Sequence, residues 1–204
     1  MFYRTDDAHS LSHDPFKALV VPRPIGWIST LDTEGGANLA PYSFFNAVAF
    51  RPPQVMFAAT SNHAFGGLKD SVRNAQEVGE FVVNLATWEL RRQMNASAVP
   101  APRGIDEFEY AGLAKSRSNH VRPPRVAESP AHLECVYVRT VELETDDESP
   151  NIVVFGKVVG VHIDDQFISE GRVDTVAMKP IGRLGYMDYV KVTERFSMDR
   201  PSWD

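Results

Sequence analysis

The sequence predicts a mainly β protein in which antiparallel strands form a barrel flanked by short helices. About seven β-type runs are joined mostly by tight reversals, whereas only two stretches show helical spacing. Gly156 and Gly160 lie inside the last long β-type run, where glycine indicates the bulges that let a sheet coil into a barrel. These observations favour an antiparallel barrel over a doubly wound parallel sheet.

The composition limits the class of protein. The chain has 204 residues, of which 43% are hydrophobic and 24% charged, as expected for one globular domain spanning residues 1–204. Its net charge of −6 gives no broad basic field for nucleic acid or anionic lipid. No apolar run approaches the ~20 residues of a membrane span, and the first ten residues lack a signal-peptide core. We expect a soluble, cytoplasmic protein that binds neither nucleic acid nor membranes.

The first predicted hairpin lies within residues 16–44. Two β-type runs are joined by "DTEGG", whose acidic and glycine residues suit a tight reversal. Pro22 and Pro24 interrupt the first run, which favours an edge or a bulge over a central position. "RPPQVMFAATS" then predicts a third strand that starts after the rigid Pro52-Pro53 corner.

Two short helices are expected. In "KDSVRNAQEVG" the apolar residues recur at helical spacing, Asp70 or Ser71 can cap the start, and Gly79 can end the helix. "WELRRQMNASA" predicts the second helix, with Thr87 as its N-cap.

The rest of the chain predicts a long excursion and further strands. Residues 100–130 are rich in Pro, Arg, Ser and Gly with little periodicity, and such loops usually carry function or cover a site. "EFVVNLAT", "HLECVYVRTVELET" and "NIVVFGKVVGVHID" are β-type runs. The acidic "DDESP" between the last two is predicted to be a solvated hairpin tip.

Several kinds of active site lack their sequence signature. There is no G-x-G-x-x-G after a strand, no P-loop and no G-x-S-x-G elbow. The six histidines form no H-E-x-x-H motif or close pair, so no metal site is predicted. The single cysteine, Cys135, alternates with apolar residues and is expected to be an inert buried thiol. None of these patterns marks a catalytic side chain.

The helix that begins near Lys69 is a candidate phosphate site. The start of a helix offers free backbone N–H groups at the positive end of its dipole. Lys69 and Ser71 add a charge and a hydroxyl there, and Ser61 ends the preceding strand. The alternative is an ordinary capped surface helix.

"NLAPYSFFN" is a candidate site for a flat ligand. Pro41 cannot donate a ladder hydrogen bond, so the strand becomes irregular there and the polar backbone groups around it need partners. The polar edge of an isoalloxazine ring carries matching acceptors and a donor, and Phe44 or Phe45 can cover part of the ring. A core turn satisfied by water is the alternative.

Three segments occur in the order "RPIGWISTLDTEGGANLAPYSFFNAVAFRPPQVMF", "KDSVRNAQEVGEFVVNL" and "KPIGRLGYMDY". Together they resemble the flavin reductase-like family of FMN-binding split barrels, most closely its flavoredoxin-like branch. The likeness runs from about Phe16 to Tyr189. Each motif alone is weakly specific, whereas the three in order make a strong match.

The resemblance implies a six-stranded Greek-key split barrel and an obligate homodimer with FMN bound near the subunit interface. It assigns Ser61, Lys69 and Ser71 to the phosphate of FMN. Arg183 is implied as a closing contact to the flavin or across the dimer, with a surface arginine or an interface ion pair as the alternative. The residues implied to line the flavin ring are Asn38, Ala40, Pro41, Tyr42, Ser43 and Phe44.

The function implied is that of an FMN-dependent oxidoreductase, an NAD(P)H-dependent flavin reductase. Because the chemistry of such a protein belongs to its cofactor, no catalytic side chain is predicted. A non-catalytic electron-transfer flavoprotein reduced by a protein partner is the alternative, and a relative that now binds another planar ligand such as haem is a third. Family reductases tend to carry a nicotinamide-binding histidine near the C-terminal motif, but no histidine follows His162 here. His120 in "SNHVRPPR" can supply part of that role, and a solvated basic loop is the favoured alternative. The electron donor, NAD(P)H or a redox protein, therefore stays open.

Overall fold

The computed structural model describes residues 1–146 and 148–203. Within these residues the chain forms five α-helices, one 3-10 helix and fourteen strands. The helices are α1 (Phe16–Leu19), α2 (Asp70–Val78), α3 (Arg91–Ala96), α4 (Glu107–Ala111), the 3-10 helix (Asp165–Phe167) and α5 (Thr175–Met178). The strands are β1 (Arg23–Pro24), β2 (Gly26–Leu31), β3 (Ala37–Tyr42), β4 (Phe45–Phe50), β5 (Pro53–Ala59), β6 (Glu80–Leu85), β7 (Lys115–Ser116), β8 (Arg125–Val126), β9 (Ala131–Leu143), β10 (Asn151–Ile163), β11 (Ile168–Ser169), β12 (Arg172–Val173), β13 (Ile181–Arg183) and β14 (Tyr189–Lys191).

One antiparallel sheet dominates the fold. In the described part of the chain it has seven strands, in the order β3-β2-β6-β9-β10-β5-β4. The end strands β3 and β4 do not pair with each other, so the barrel stays open between them. The prediction of a mainly β, split antiparallel barrel is confirmed. The sheet has one strand more than the six implied by the resemblance, and β4 was not predicted as a separate strand.

Strand β2 separates two hydrophobic clusters. Side chains alternate between the faces of a strand, so Ile28 packs in the barrel core with Phe57 and Phe81. Its neighbour Trp27 points the opposite way, into a second cluster that includes Phe108 of α4. Trp27 and Ile28 are both fully buried, so β2 is covered on both of its faces.

The bulges predicted at the two glycines of β10 are confirmed. The register between β9 and β10 shifts between Phe155 and Gly156, and again between Val158 and Gly160. A Cβ atom at Gly156 would lie 2.3 Å from Cζ of Phe81, a distance that real carbon atoms do not adopt. Glycine at this position therefore lets the coiled strand approach the barrel core.

The helices differ from those predicted from the sequence in their number and in the residues at which they begin. Residues 16–19, expected to be extended, form α1, and α4 and α5 were not predicted. Gly79 ends α2 in the left-handed conformation, φ 79°, as predicted. The N-cap of α2 is Lys69 and not Asp70 or Ser71, whose side chains are held by other partners described below. Likewise the N-cap of α3 is Leu90 and not Thr87, which was predicted. The hydroxyl oxygen of Thr87 accepts a hydrogen bond from the Leu90 N–H, 3.4 Å.

The long excursion at residues 100–130 forms α4 and the small β7–β8 hairpin. Strands β9 and β10 pair as a hairpin, as predicted, but Asp147 of the acidic tip "DDESP" lies outside the described residues. Cys135 is buried, and burial raises the pKa of its thiol, as expected for an inert core cysteine. None of the described helices combines the length and the apolar character needed to cross a bilayer.

Candidate functional site

A cavity of about 800 Å³, called here the large cavity, opens beside the C-terminal end of β3. Its size lies within the range of small-molecule sites, about 300–1,000 Å³. Four cationic residues and one carboxylate, Asp14, lie on its walls, so it is locally basic in an acidic protein. It is lined by Ser12, His13, Asp14, Lys17, Arg23, Pro41, Tyr42, Ser43, Phe44, Ala58, Ala59, Thr60, Ser61, Lys69, Arg183, Tyr186 and Met187.

A smaller cavity of about 170 Å³, called here the polar pocket, adjoins the large cavity at the start of α2. The two share Pro41, Tyr42 and Lys69 as wall residues. Together they suit an elongated ligand with a bulky part and a small polar end. The polar pocket is lined by Asn38, Ala40, Pro41, Tyr42, His63, Ala64, Lys69, Asp70, Ser71, Ser97, Ala98, Val99, Pro100, Ala101 and Glu107.

The structure brings all the cofactor-binding residues implied by the resemblance to these two cavities. Asn38, Ala40 and Ser71 line the polar pocket. The members that line the large cavity are Ser43, Phe44, Ser61 and Arg183, and those that line both are Pro41, Tyr42 and Lys69. Residues distant in sequence thus share one site, while their roles toward a flavin stay predictions.

The proline-containing stretch lies on an edge strand. Strand β3 ends the main sheet and pairs only with β2, where Pro41 lies opposite Trp27. An edge strand leaves alternate N–H and C=O groups without a strand partner. The backbone next to Pro41 can therefore hydrogen-bond to a ligand in the adjoining cavities.

A hydrogen-bonded network occupies the side chains at the base of the polar pocket. The Ser71 hydroxyl donates to Oδ1 of Asn38, 2.8 Å, and Nδ2 of Asn38 donates to Oε2 of Glu107, 3.0 Å. The same oxygen of Glu107 accepts from the backbone N–H of Leu39, 2.9 Å. The hydroxyl hydrogen of Ser71 and the amide oxygen of Asn38 thus satisfy each other within the protein.

Burial changes the proton affinities of two groups on the polar pocket. It raises the pKa of Glu107, an effect partly offset by the hydrogen bonds from the Leu39 N–H and the Asn38 amide. It also raises the pKa of Tyr42 to about 12, partly offset by a hydrogen bond with Ser71. Tyr42 therefore stays a neutral phenol across the physiological range.

Sequence reasoning missed Glu107. The only sequence signal was its place in the long excursion, where Asp106 caps α4 by accepting from the Phe108 N–H, 2.9 Å. The contact of Glu107 with Asn38 and Leu39 spans almost seventy residues of chain. No local pattern reports such a pairing.

A cluster of cations surrounds the start of α2. The Asp70 carboxylate pairs with Arg73, 2.9 Å, with Nε2 of His63, 3.3 Å, and with Arg103. Burial lowers the pKa of His63, an effect that Asp70 opposes and Arg103 reinforces. With Lys69 nearby, the three Lys and Arg charges exceed those of the two carboxylates here, Asp70 and Glu107, by one, which favours an anionic group at this helix start.

Arg103 also shapes the loop that leads into α2. Its guanidinium donates to the backbone oxygens of Gly66, 2.6 Å, and Leu68, 2.9 Å, besides pairing with Asp70. This loop enters the wall of both cavities at Lys69. Arg103 lies in the excursion and was also missed from sequence.

Arg23 is a buried cation on the wall of the large cavity. It is 7% exposed and donates to the backbone oxygens of Val20, 2.7 Å, and Leu184, 2.9 Å. Among the described residues nothing accepts a hydrogen bond from its Nε. Burial lowers its pKa, and the charge of Arg183 does so further. A buried N–H without a protein partner beside a cavity suits a ligand acceptor.

Arg183 is held by the turn between β13 and β14. Its guanidinium donates to Oη of Tyr189, 2.5 Å, and to the backbone oxygen of Tyr186, and it lies 4.6 Å from the centre of the Tyr189 ring. The predicted contact of Arg183 with the flavin or across a dimer stays a prediction. The ring of His13, from the N-terminal segment, lies 5.5 Å from that of Tyr186, so the segment covers one side of the large cavity.

His120 is held elsewhere. Its backbone N–H donates to Oε2 of Glu134, 2.6 Å, and His120 lies on the wall of neither cavity. Across residues 1–146 and 148–203, no three acidic, histidine or cysteine side chains come together as metal ligands would.

Comparison with known proteins gives consistent matches. Residues 18–179 match the family described as flavin reductase like domain. Nitrilotriacetate monooxygenase component B from Bacillus cereus aligns with a TM-score of 0.82 and 32% identity, covering 94% of this chain and 100% of that one. The 2-nitrobenzoate 2-nitroreductase of Pseudomonas fluorescens aligns with a TM-score of 0.78 and 29% identity, covering 91% of this chain and 88% of that one. Flavoredoxin of Desulfovibrio vulgaris gives 0.74 over 97% of both chains; at 18% identity this likeness shows the fold alone.

Proposed function

The chain belongs to the flavin reductase-like domain family, and from that premise we propose that it is an FMN-dependent oxidoreductase that takes electrons from NADH or NADPH. The observation that carries the proposal is the joined pair of cavities, one large and one small and polar. Their combined shape suits a ring system that ends in a phosphate. The oxidoreductase names of two similar structures, a monooxygenase component and a nitroreductase, support the class of chemistry.

The residues present fit a flavin mononucleotide. The unpaired edge of β3 next to Pro41 supplies backbone groups for the polar edge of the ring, and Phe44 supplies an apolar surface. The orphaned Nε of Arg23 supplies a further donor on the large cavity. Lys69 and the first N–H groups of α2 suit the phosphate, whose charge the surrounding arginines also favour.

When bound, the flavin supplies the capacity to accept and release electrons. The chain itself would bind the flavin, orient it and shield it from water. Cationic residues on the large cavity favour a negatively charged reduced state over the neutral one. Tyr42 stays protonated, so it contributes a neutral hydrogen-bonding group and an aromatic face at the junction of the two cavities.

The physiological assembly is part of the proposal: a homodimer in the cytoplasm. An apolar groove of about 330 Å³ beside β10 supports the dimer. On it Val161 is 63% exposed and Val173 41% exposed, which is costly for a surface that faces water. The molar mass from sedimentation equilibrium tests this part.

Anaerobic titration of the purified protein tests the proposed activity. We expect flavin absorbance in the preparation, and bleaching of that absorbance by NADH or NADPH at a rate that supports turnover. A preparation without flavin that also fails to bind added FMN contradicts the cofactor assignment.

An electron-transfer flavoprotein reduced by a protein partner is the second candidate. The observation that favours it is the absence of histidine from the sequence after His162. Its signature is a bound flavin that dithionite bleaches and that both nicotinamide nucleotides leave oxidised.

A further inference from the structure

A second cavity outside the proposed flavin site combines positive charge with aromatic surface. It has a volume of about 350 Å³ and is formed by α3, the residues before it, and strands β13 and β14. We call it the basic groove. Its polar and aromatic wall consists of Trp88, Arg91, Arg92, Asn95, Tyr189 and Lys191.

No carboxylate pairs directly with the cations of the basic groove in the described part of the chain, although the charge of Lys191 helps to lower the pKa of Glu89. Three cations and no acidic residue line it, although the chain carries a net charge of −6. In the described part of the chain, Arg91, Arg92 and Lys191 form no ion pair. The nearby carboxylate of Glu89 pairs with Lys179, 2.8 Å. Three cations without a direct carboxylate partner in one concavity favour a ligand with more than one negative charge.

Trp88 holds two of these cations in place. The guanidinium carbon of Arg91 lies 3.9 Å from the centre of the Trp88 ring, and Nζ of Lys191 lies 4.7 Å from it. Nη1 of Arg91 also donates to the backbone oxygen of Trp88, 2.6 Å. Because these side chains are already ordered, an anion loses less of its binding energy to ordering them.

The basic groove and the large cavity share one hairpin. Strands β13 and β14 pair with Arg183 opposite Tyr189, and paired residues have Cα atoms about 5 Å apart. Arg183 lies on the large cavity and Tyr189 on the basic groove. A ligand with two parts joined by a flexible link can therefore reach both spaces around this pair.

We propose that the basic groove binds the phosphorylated adenosine half of the nicotinamide dinucleotide that reduces the flavin, and that it favours NADPH over NADH. The inference rests on the proposed function, because it places the other half of the donor at the large cavity. Arg91 and Lys191 lie against Trp88, and Arg183 lies against Tyr189. The aromatic surface that these cations leave exposed, on residues that are 39% and 38% exposed, suits the adenosine. The cations suit its phosphates, and the additional phosphate of NADPH accounts for the preference.

The direct test uses adenosine 2′,5′-bisphosphate, which contains the adenosine and its phosphates but no nicotinamide. Titration calorimetry with the flavin-loaded protein is expected to show one saturable site, weakened about tenfold or more in the double variant Arg92→Ala/Lys191→Ala. The matched control, Lys157→Ala/Arg172→Ala, removes the same charge from exposed positions elsewhere and is expected to bind like the wild type. Absence of binding to the wild type, or equal loss in both double variants, overturns the proposal.

Steady-state kinetics supplies the second readout. In the groove variant we expect KM for NADPH to rise about tenfold with kcat nearly unchanged, and KM for NADH to rise less. FMN affinity and bleaching by dithionite are expected to stay as in the wild type. Equal effects on NADH and NADPH overturn the assigned preference. If neither nucleotide reduces the wild type, the proposed function fails, while the bisphosphate titration still decides whether the groove binds such a ligand.

Discussion

The two adjoining cavities differ in how their polar groups are satisfied. In the polar pocket the side chains of Asn38, Ser71 and Glu107 are partners of one another. On the large cavity, Arg23 keeps an unpartnered Nε, and Lys69 and Arg183 make no ion pair within the described residues. Residues that line the same site can therefore have different functions, either stabilising the fold or binding a ligand. The network shapes the site and stabilises the fold, whereas the uncompensated cations are available to a ligand.

The largest effect is expected from Glu107→Ala, which deletes the acceptor of the network. The Leu39 N–H and the Asn38 amide would be left buried without a partner, at a cost of about 3 kcal/mol in the free energy of unfolding. Urea denaturation of the flavin-free protein measures it. Glu107→Gln keeps an acceptor oxygen and is expected to lose less than half as much. If the alanine variant is as stable as the wild type, the hydrogen-bonded network of the polar pocket does not stabilise the fold.

Lys69→Ala is expected to affect the ligand rather than the fold. The side chain of Lys69 lines both cavities and forms no ion pair within the described residues, so its loss is expected to weaken FMN binding about tenfold or more. Its unfolding free energy is expected to change by less than about 0.5 kcal/mol. Fluorescence titration with FMN measures the affinity, and the exposed Lys157→Ala serves as control. Equal FMN affinities in the two variants would remove Lys69 from the phosphate assignment.

Ser71→Ala is expected to show the opposite pattern. Its hydroxyl donates to the buried Asn38, so its loss is expected to cost about 1 kcal/mol of stability. The backbone N–H of Ser71 is unaffected, and the preference for FMN over riboflavin should stay within about twofold of the wild type. Urea denaturation and paired flavin titrations measure the two quantities. A loss of that preference comparable to that in Lys69→Ala would show that the hydroxyl itself binds the phosphate.

The smallest effect is a pH dependence of the network. Burial raises the pKa of Glu107 in the folded protein, so the folded state binds this proton more tightly than the unfolded state does. The stabilising contribution is complete below the unfolded pKa and is lost as the pH rises through the folded pKa. The stability of the wild type relative to Glu107→Gln is therefore expected to fall as the pH is raised from about 4, the ordinary range of a glutamate pKa, through the higher pKa of the folded protein. Urea denaturation across this range measures it, and a constant difference would contradict the assignment.

The sequence predicted the features that depend on local pattern. The strands at residues 80–85, 131–143 and 151–163, the end of α2 at Gly79 and the two bulges of β10 all follow from alternation or from glycine. The predicted N-cap of α2 was wrong by one or two residues because tertiary partners, Arg103 and Asn38, hold the side chains expected to cap it.

For the site, sequence pattern and resemblance named residues that the structure brings onto two adjoining cavities. They did not show which of these residues stabilise the fold and which are available to a ligand. Glu107, Arg103 and Arg23 escaped notice because their roles depend on contacts between distant parts of the chain. A sequence pattern reports the faces of elements and their ends. It does not report which buried polar groups are hydrogen-bonded to each other. That information is needed to distinguish the network in the polar pocket from the cations on the large cavity.

The most direct test of the central claim, that the two cavities together hold a mononucleotide flavin, is a paired titration of the flavin-free protein with FMN and with riboflavin. Both are expected to bind saturably, and FMN about tenfold or more tightly because only FMN places a phosphate at Lys69 and the start of α2. Failure of both flavins to bind, or equal affinities for the two, would contradict this account.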